Sequence, residues 1–177
     1  EDDLKKLKEY DVAVGVCPRC NAQLGMGVAP VNEFLRAGLR LGIGTDSPAA
    51  TDSTDMLEEM RLGMLVQRAV DVNEFLDSST MLEMATMGGA RALRLENKIG
   101  SLDVGKCADI IAVDLSSSHQ SPTTDPVSAV VNTCSGTDVL MTMVDGKMLY
   151  EKNRWHVDVA VAKNIARVIE IRGKLRL

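Results

Sequence analysis

Asp46 is the carboxylate whose setting best suits chemistry. The run Leu39-Arg40-Leu41-Gly42-Ile43-Gly44 reads as a short apolar strand that stops at Thr45-Asp46. A small-residue loop, Ser47-Pro48-Ala49-Ala50, then leads towards a helix beginning near Ser53 or Thr54. A carboxylate at the C-terminal end of a buried strand, ahead of a loop and a helix, lies where α/β folds usually place their reacting groups. The plain alternative is a residue that starts a turn or caps a helix.

Cys17-Pro18-Arg19-Cys20 is the second candidate. A Cys-x-x-Cys serves thiol exchange when it opens a helix that follows a strand, and it can supply two of the four ligands of a structural zinc. A strand does precede it, but Asn21 to Gly27 reads as loop. The other donors, Cys107, Cys134, His119 and His156, lie far along the chain without paired spacing. Two small half-buried thiols in a loop is the reading this favours. His119 and His156 are the two histidines; neither has another ligand three or four residues away on a shared helix face, so both are read as surface or hydrogen-bonded structural residues. A glycine-rich phosphate cradle and a Gly-x-Ser-x-Gly elbow are both missing from the sequence.

The elements that must position these groups follow from the apolar spacing. Leu4, Leu7 and Tyr10 suit the last turns of an amphipathic helix, and the start at Glu1 without an initiator methionine suggests a record that begins inside a longer protein. Val12 to Val16 is a valine-rich strand, Pro30 to Ala37 a short helix and Leu39 to Gly44 the next strand. Alternation of strands with helices implies parallel strands joined by right-handed crossovers. A long helix is expected over Thr54–Val70, with Met56, Leu57, Met60, Met64 and Leu65 on its apolar face. Another is expected over Thr80–Leu93, with Thr80 as N-cap and Glu83 completing a capping box. Gly88-Gly89 inside that helix points to close packing against a neighbour.

Beyond Ile99 the pattern changes. Ala108–Leu115, Val127–Cys134 and Val139–Val144 read as strands, and Asp145-Gly146 as the hairpin turn to a return strand over Lys147–Tyr150. Val157–Ile171 reads as a helix with Ile165, Val168, Ile169 and Arg172 spaced for one packed face. The division expected is therefore 1–98, the end of a larger α/β unit; 99–153, a small and mainly antiparallel β subdomain; and 154–177, a C-terminal helix.

The totals restrict the function class. A chain of 177 residues with 45% apolar content fits one domain or a piece of a larger one. Its net charge of −5 and 3% aromatic content argue against nucleic acid, which wants a basic stripe or stacking platforms. No apolar run approaches the ~20 residues that span a bilayer, so no membrane partner is expected. Four scattered cysteines suit a reduced, cytoplasmic chain rather than a disulfide scaffold.

Several stretches together resemble the amidohydrolase superfamily, in the branch of methylthioadenosine/S-adenosylhomocysteine deaminases and triazine chlorohydrolases. Cys17-Pro18-Arg19-Cys20-Asn21 through Ala29-Pro30-Val31 is similar to the loop after that family's seventh barrel strand. Gly44-Thr45-Asp46 followed by Asp55-Met56-Leu57-Glu58-Glu59-Met60-Arg61 is similar to its eighth strand and following helix. Met84 to Leu93, Ile99 to Ile111, Asp125-Pro126-Val127-Ser128 and Met143-Val144-Asp145-Gly146 continue the series.

The resemblance implies the C-terminal part of a (β/α)8 TIM-type barrel followed by a sandwich-like β subdomain and a helix. It also implies one divalent metal, zinc or iron, held by a His-x-His pair, a further histidine and the aspartate that ends strand eight. That aspartate would be Asp46, as metal ligand and as acceptor of a proton from the water the metal activates. The substrate would be a small nitrogen heterocycle, adenosine-type first and triazine or pterin-like next, losing ammonia or chloride. A homo-oligomer of the complete protein is compatible with this.

Departures are also visible. The metal histidines and the acid–base glutamate would precede Glu1. Val16 stands where many relatives have a histidine before Cys-Pro or Asn-Pro, and Cys20 and Ala50 stand where serine is frequent. A non-catalytic remnant or scaffold module of the same fold is the alternative function.

Overall fold

The computed structural model describes residues 2–72, 74–122, 124–157 and 160–175, without the side chains of 161, 162, 172 and 175. Helix α1 (Asp2–Glu9) leads into strand β1 (Ala13–Val16), a six-residue helix α2 (Pro18–Gln23), helix α3 (Val31–Arg36) and strand β2 (Arg40–Ile43). β1 and β2 pair in parallel, Ala13 opposite Arg40 and Val16 opposite Ile43. The fold is mixed α/β, as the alternating pattern predicts.

Helix α4 (Met56–Val70) begins two residues later than expected from Thr54, because Asp55 is its N-cap: one carboxylate oxygen accepts from Leu57 N at 2.9 Å and Glu58 N at 3.4 Å. Its buried stripe is Leu57, Glu59, Met60, Gly63, Met64 and Gln67. Leu65, expected on that face, is 51% exposed.

The helix expected over Thr80–Leu93 is three pieces. Helix α5 (Ser78–Glu83) is capped by Asp77, not Thr80, whose backbone N–H donates to the Asp77 carboxylate at 2.8 Å. A wide five-residue turn, Met84–Gly88, interrupts it before helix α6 (Gly89–Ala92). The cause is the approach to β2: a Cβ on Gly88 would lie 2.6 Å from the Leu41 carbonyl oxygen, and one on Gly42 would lie 3.1 Å from Gly89 Cα.

Strand β3 (Ile110–Val113) opens the second sheet. The segment Val127–Cys134, expected as a strand, is instead helix α7 (Pro126–Thr133). Asp125 caps it by accepting from Val127 N and Ser128 N, and Pro126 fills the first helical position, where its missing N–H costs nothing. Strands β4 (Val139–Val144), β5 (Lys147–Glu151) and β6 (Arg154–Trp155) complete an antiparallel sheet in the order β3-β4-β5-β6. Asp145 and Gly146 both have positive φ, 49° and 74°, as the two-residue hairpin turn requires.

The core gathers Val16 and Leu41 from the parallel pair, Met60 and Met64 from α4, Met81 from α5, and Val131 of α7 with Cys134 just beyond it. Helix α8 (Val161–Leu175) does not pack as expected: Ile165, Val168 and Ile169 are all more than half exposed, and the Arg172 side chain lies outside the described residues. No helix among the described residues is long and apolar enough to cross a membrane.

Candidate active site

Beyond Ile43 the chain leaves the sheet through Gly44 and Thr45 and turns sharply at Asp46, which has φ +60°, a left-handed conformation that side chains other than those of Asp and Asn rarely adopt. Its carboxylate stands exposed at the C-terminal end of β2 and accepts from Ser47 N at 2.5 Å. The loop is pinned from below by Thr51, which is 3% exposed; its hydroxyl lies 3.0 Å from the Ser53 carbonyl and 3.3 Å from that of Thr45.

The Cys-x-x-Cys reaches the same point. α2 begins at Pro18, so Asn21–Gln23, expected as loop, is helical, and Cys17 occupies the N-cap position. Cys20 lies in the first turn of this helix and is 4% exposed. The influence of the nearby Cys20 thiol and the hydrogen bond from Ser47 N–H hold Asp46 below the ordinary carboxylate range, so it is ionised at neutral pH. In return the carboxylate, with burial, pushes the Cys20 thiol up to about 11. Cys17 is also raised, by burial and then by the Asp46 and Glu59 carboxylates. Thiol exchange needs the thiolate, so although the helix that such a site requires is present, its electrostatics oppose that chemistry.

Glu59 of α4 lies beneath this turn and is fully buried. Its Oε2 accepts from the Arg19 backbone N–H at 3.2 Å, and its Oε1 lies 3.9 Å from Arg19 Nε, with no hydrogen-bond partner for either of the latter two atoms. Burial raises its pKa, against the pull of Arg19. The Arg19 guanidinium pairs at 3.0 Å with Glu58, which also accepts from Ser53 Oγ at 3.1 Å. From sequence, Glu58 and Glu59 read only as acids suiting a helix start; the signal overlooked is that Glu59, Gly63 and Gln67 recur on the buried stripe.

The other sequence candidates stand apart. Cys134 is fully buried and lies 3.3 Å from Gln120 Nε2, while Cys107 is half-buried. His119 Nε2 lies 3.6 Å from Asp138, and His156 is exposed. Ala50 closes the loop, donating its N–H to the Ser47 carbonyl at 2.8 Å. A cavity of about 350 Å³, lined by Val16, Pro18, Val31, Gly63, Met81 and Met84 among others, includes neither Asp46 nor Cys20 in its wall.

The donor chemistry of Asp46 fits a divalent cation: it is ionised and exposed, and a carboxylate offers about four lone-pair directions, of which Ser47 N–H uses one. It would be one ligand among several. Among the described residues no group of three or more His, Cys, Asp or Glu side chains could hold a metal ion, and a catalytic zinc takes about three protein ligands.

Residues 2–149 match the amidohydrolase family. The 5-methylthioadenosine/S-adenosylhomocysteine deaminase of Caldanaerobacter subterraneus subsp. tengcongensis is 37% identical over 153 residues, covering 86% of this chain and 35% of that protein. The enzyme of the same name from Moorella thermoacetica is 39% identical over 149 residues, covering 84% and 35%. Among solved structures, a zinc-bound adenosine deaminase from Xanthomonas campestris superposes with a TM-score of 0.90 at 33% identity, over 99% of this chain and 40% of that one. The zinc complex of atrazine chlorohydrolase TrzN from Arthrobacter aurescens gives 0.85 at 28% identity, over 96% and 38%. The chain thus spans about a third of the length of the curated relatives it matches. On these likenesses and on the match over residues 2–149, the chain belongs to the amidohydrolase family.

Proposed function

We propose that this chain is the C-terminal part of a metal-dependent amidohydrolase that hydrolyses an amino or chloro substituent from a nitrogen heterocycle, with an adenosine-type nucleoside as the first substrate class. The observation that carries the reading is Asp46, an ionised carboxylate on a left-handed turn at the C-terminal end of a strand in a parallel pair. Deaminases and a chlorohydrolase among the relatives support the reaction class. In this reading β1 and β2 are barrel strands seven and eight within residues 1–98, residues 99–153 form a flanking subdomain and 154–177 a terminal helix.

A bound divalent metal, zinc or iron, would supply a water of pKa ~7 and so a nucleophile at neutral pH. Asp46 would be one of its ligands and would accept the proton that water gives up. Ser47 N–H, at 2.5 Å, keeps one carboxylate oxygen in place while this happens. The remaining ligands and most substrate contacts would come from other parts of the complete protein.

The test is the complete, zinc-loaded protein assayed for ammonia release from adenosine, methylthioadenosine and S-adenosylhomocysteine, and for chloride release from a chlorotriazine. Turnover is expected on an adenosine-type substrate, and Asp46→Asn is expected to abolish it. A complete protein inert on the whole panel would favour the non-catalytic alternative, and near-normal rates in Asp46→Asn would refute the role of Asp46.

A further inference from the structure

We infer that Arg19 is a positioning residue for Asp46, joining the turn that leaves β1 to the loop that leaves β2. The inference rests on the proposed amidohydrolase reading, in which Asp46 is the reacting carboxylate, and adds to it a residue from the neighbouring strand–helix unit.

Asp46 sits on a loop that is held from its far end. Asp46, Ser47, Pro48 and Ala49 are all exposed, and Ser47 N–H restrains one carboxylate oxygen only. The return leg is tied: the Thr51 hydroxyl lies 3.3 Å from the Thr45 carbonyl and 3.0 Å from that of Ser53. Ser53 Oγ accepts from Asp55 N at 3.3 Å and donates to Glu58 Oε2 at 3.1 Å. The same Glu58 oxygen accepts from Arg19 Nη2 at 3.0 Å. Polar contacts therefore run from the residue before Asp46 through the loop and α4 to α2.

Arg19 is gripped twice by consecutive acids of α4. Glu58 takes its side chain, and Glu59, fully buried, accepts its backbone N–H at 3.2 Å. The Arg19–Glu58 pair is 25% and 38% exposed, so its attraction adds little stability. Arg19 Nε and Glu59 Oε1 lie 3.9 Å apart and neither atom has a hydrogen-bond partner. Burying a charge so incompletely satisfied opposes folding, and what the arrangement secures is the place of the turn. The two strand ends also touch directly: Gly44 N donates to the Val16 carbonyl at 2.9 Å, and a Cβ on Gly44 would meet Cys17 Sγ at 3.5 Å. Such bracing matters to a reacting group, because ~1 Å of misplacement arising far from the chemistry lowers a rate by up to ~100-fold.

The experiment uses the complete protein, with Arg19→Met, Glu59→Gln, the double variant Arg19→Met/Glu59→Gln and Asp46→Asn measured together. The readouts are kcat and KM on the substrate the unsubstituted protein turns over, zinc affinity of the apoprotein by chelator competition, and the urea midpoint at pH 8. Arg19→Met is expected to lower kcat and zinc affinity by about 10–100-fold with KM little changed, and to lower the midpoint, since Glu59 loses its counter-charge. Adding Glu59→Gln removes that buried charge. The double variant is therefore expected to regain the midpoint while kcat and zinc affinity stay low against the Glu59→Gln background. Recovery of kcat in step with the midpoint would make Arg19 merely structural and overturn the inference. If Arg19→Met alone does not fold, the double variant decides. Unimpaired kcat in the double variant beside an inactive Asp46→Asn would overturn the inference and leave the amidohydrolase reading standing. An active Asp46→Asn would overturn both.

Discussion

Two carboxylates with opposite environments meet around the first turn of α2. Asp46 is exposed and supplied with donors, so its charge is stabilised; Glu59 is buried with one oxygen unpartnered, so its charge is penalised. For an acid whose folded pKa is raised, the stabilising contribution is complete below the unfolded value, near 4.5, and is lost as pH rises through the folded value. Glu59→Gln keeps an oxygen for the Arg19 N–H and removes the charge. Urea denaturation of the chain should therefore show the variant more stable than the parent at pH 8, with the two converging as pH falls towards 4.5. An advantage that grew on acidification would contradict the assignment. Asp46 itself was legible in the sequence, because a strand followed by a small-residue loop and a helix is a local pattern. The nearby Arg19–Glu59 hydrogen bond was not, since those residues lie 40 positions apart and meet only when α2 packs on α4.

At the scale of elements, the departures from expectation have local chemistry behind them. Val127–Val131 has the composition of a strand, yet Asp125-Pro126 is a helix start, and the cap outweighs the valine preference because α7 then buries Ala129 and Val131. The wide turn Met84–Gly88 breaks an otherwise regular helix where it crosses β2, and there the glycine matters. A Cβ at Gly88 would collide with backbone at Leu41 and Glu83, which cannot swing aside as a side chain can. Gly88→Ala is expected to destabilise the chain by about 1–3 kcal/mol, the usual cost of forcing extra volume into a packed site. Gly173→Ala in α8, where nothing lies within 4 Å, should instead gain up to ~1 kcal/mol from helix propensity. Chemical denaturation of both variants checks the contrast, and equal effects would deny the close crossing.

Over the whole molecule, α4 is the element that joins the two sheets. Its Arg61 donates to the backbone carbonyls of Val131 and Cys134, and its cap Asp55 accepts from Gly136 N at 2.5 Å. The antiparallel sheet is thereby tied to the helix that follows Asp46. In the proposed reading the chain supplies a metal centre with one carboxylate, and no cluster of three donors is present among the described residues. The 177-residue chain by itself is therefore expected to release no ammonia from adenosine-type substrates and to retain no stoichiometric zinc after gel filtration. Tight zinc binding with turnover by this chain alone would refute that.

Read by itself, the sequence determined the features set by neighbours along the chain: the parallel strand–helix alternation, the hairpin at Asp145-Gly146, the aspartate at the strand end and the family motifs around it. Only the tertiary structure decided which helix caps and breaks prevailed, that α8 presents Ile165, Val168 and Ile169 to solvent, and that Glu59 is buried against Arg19 at the start of α2. The reason is physical. Periodicity and turn chemistry act over a few residues, whereas the Glu59–Arg19 bond joins positions 40 apart, and burial at that distance exists only once the chain has folded.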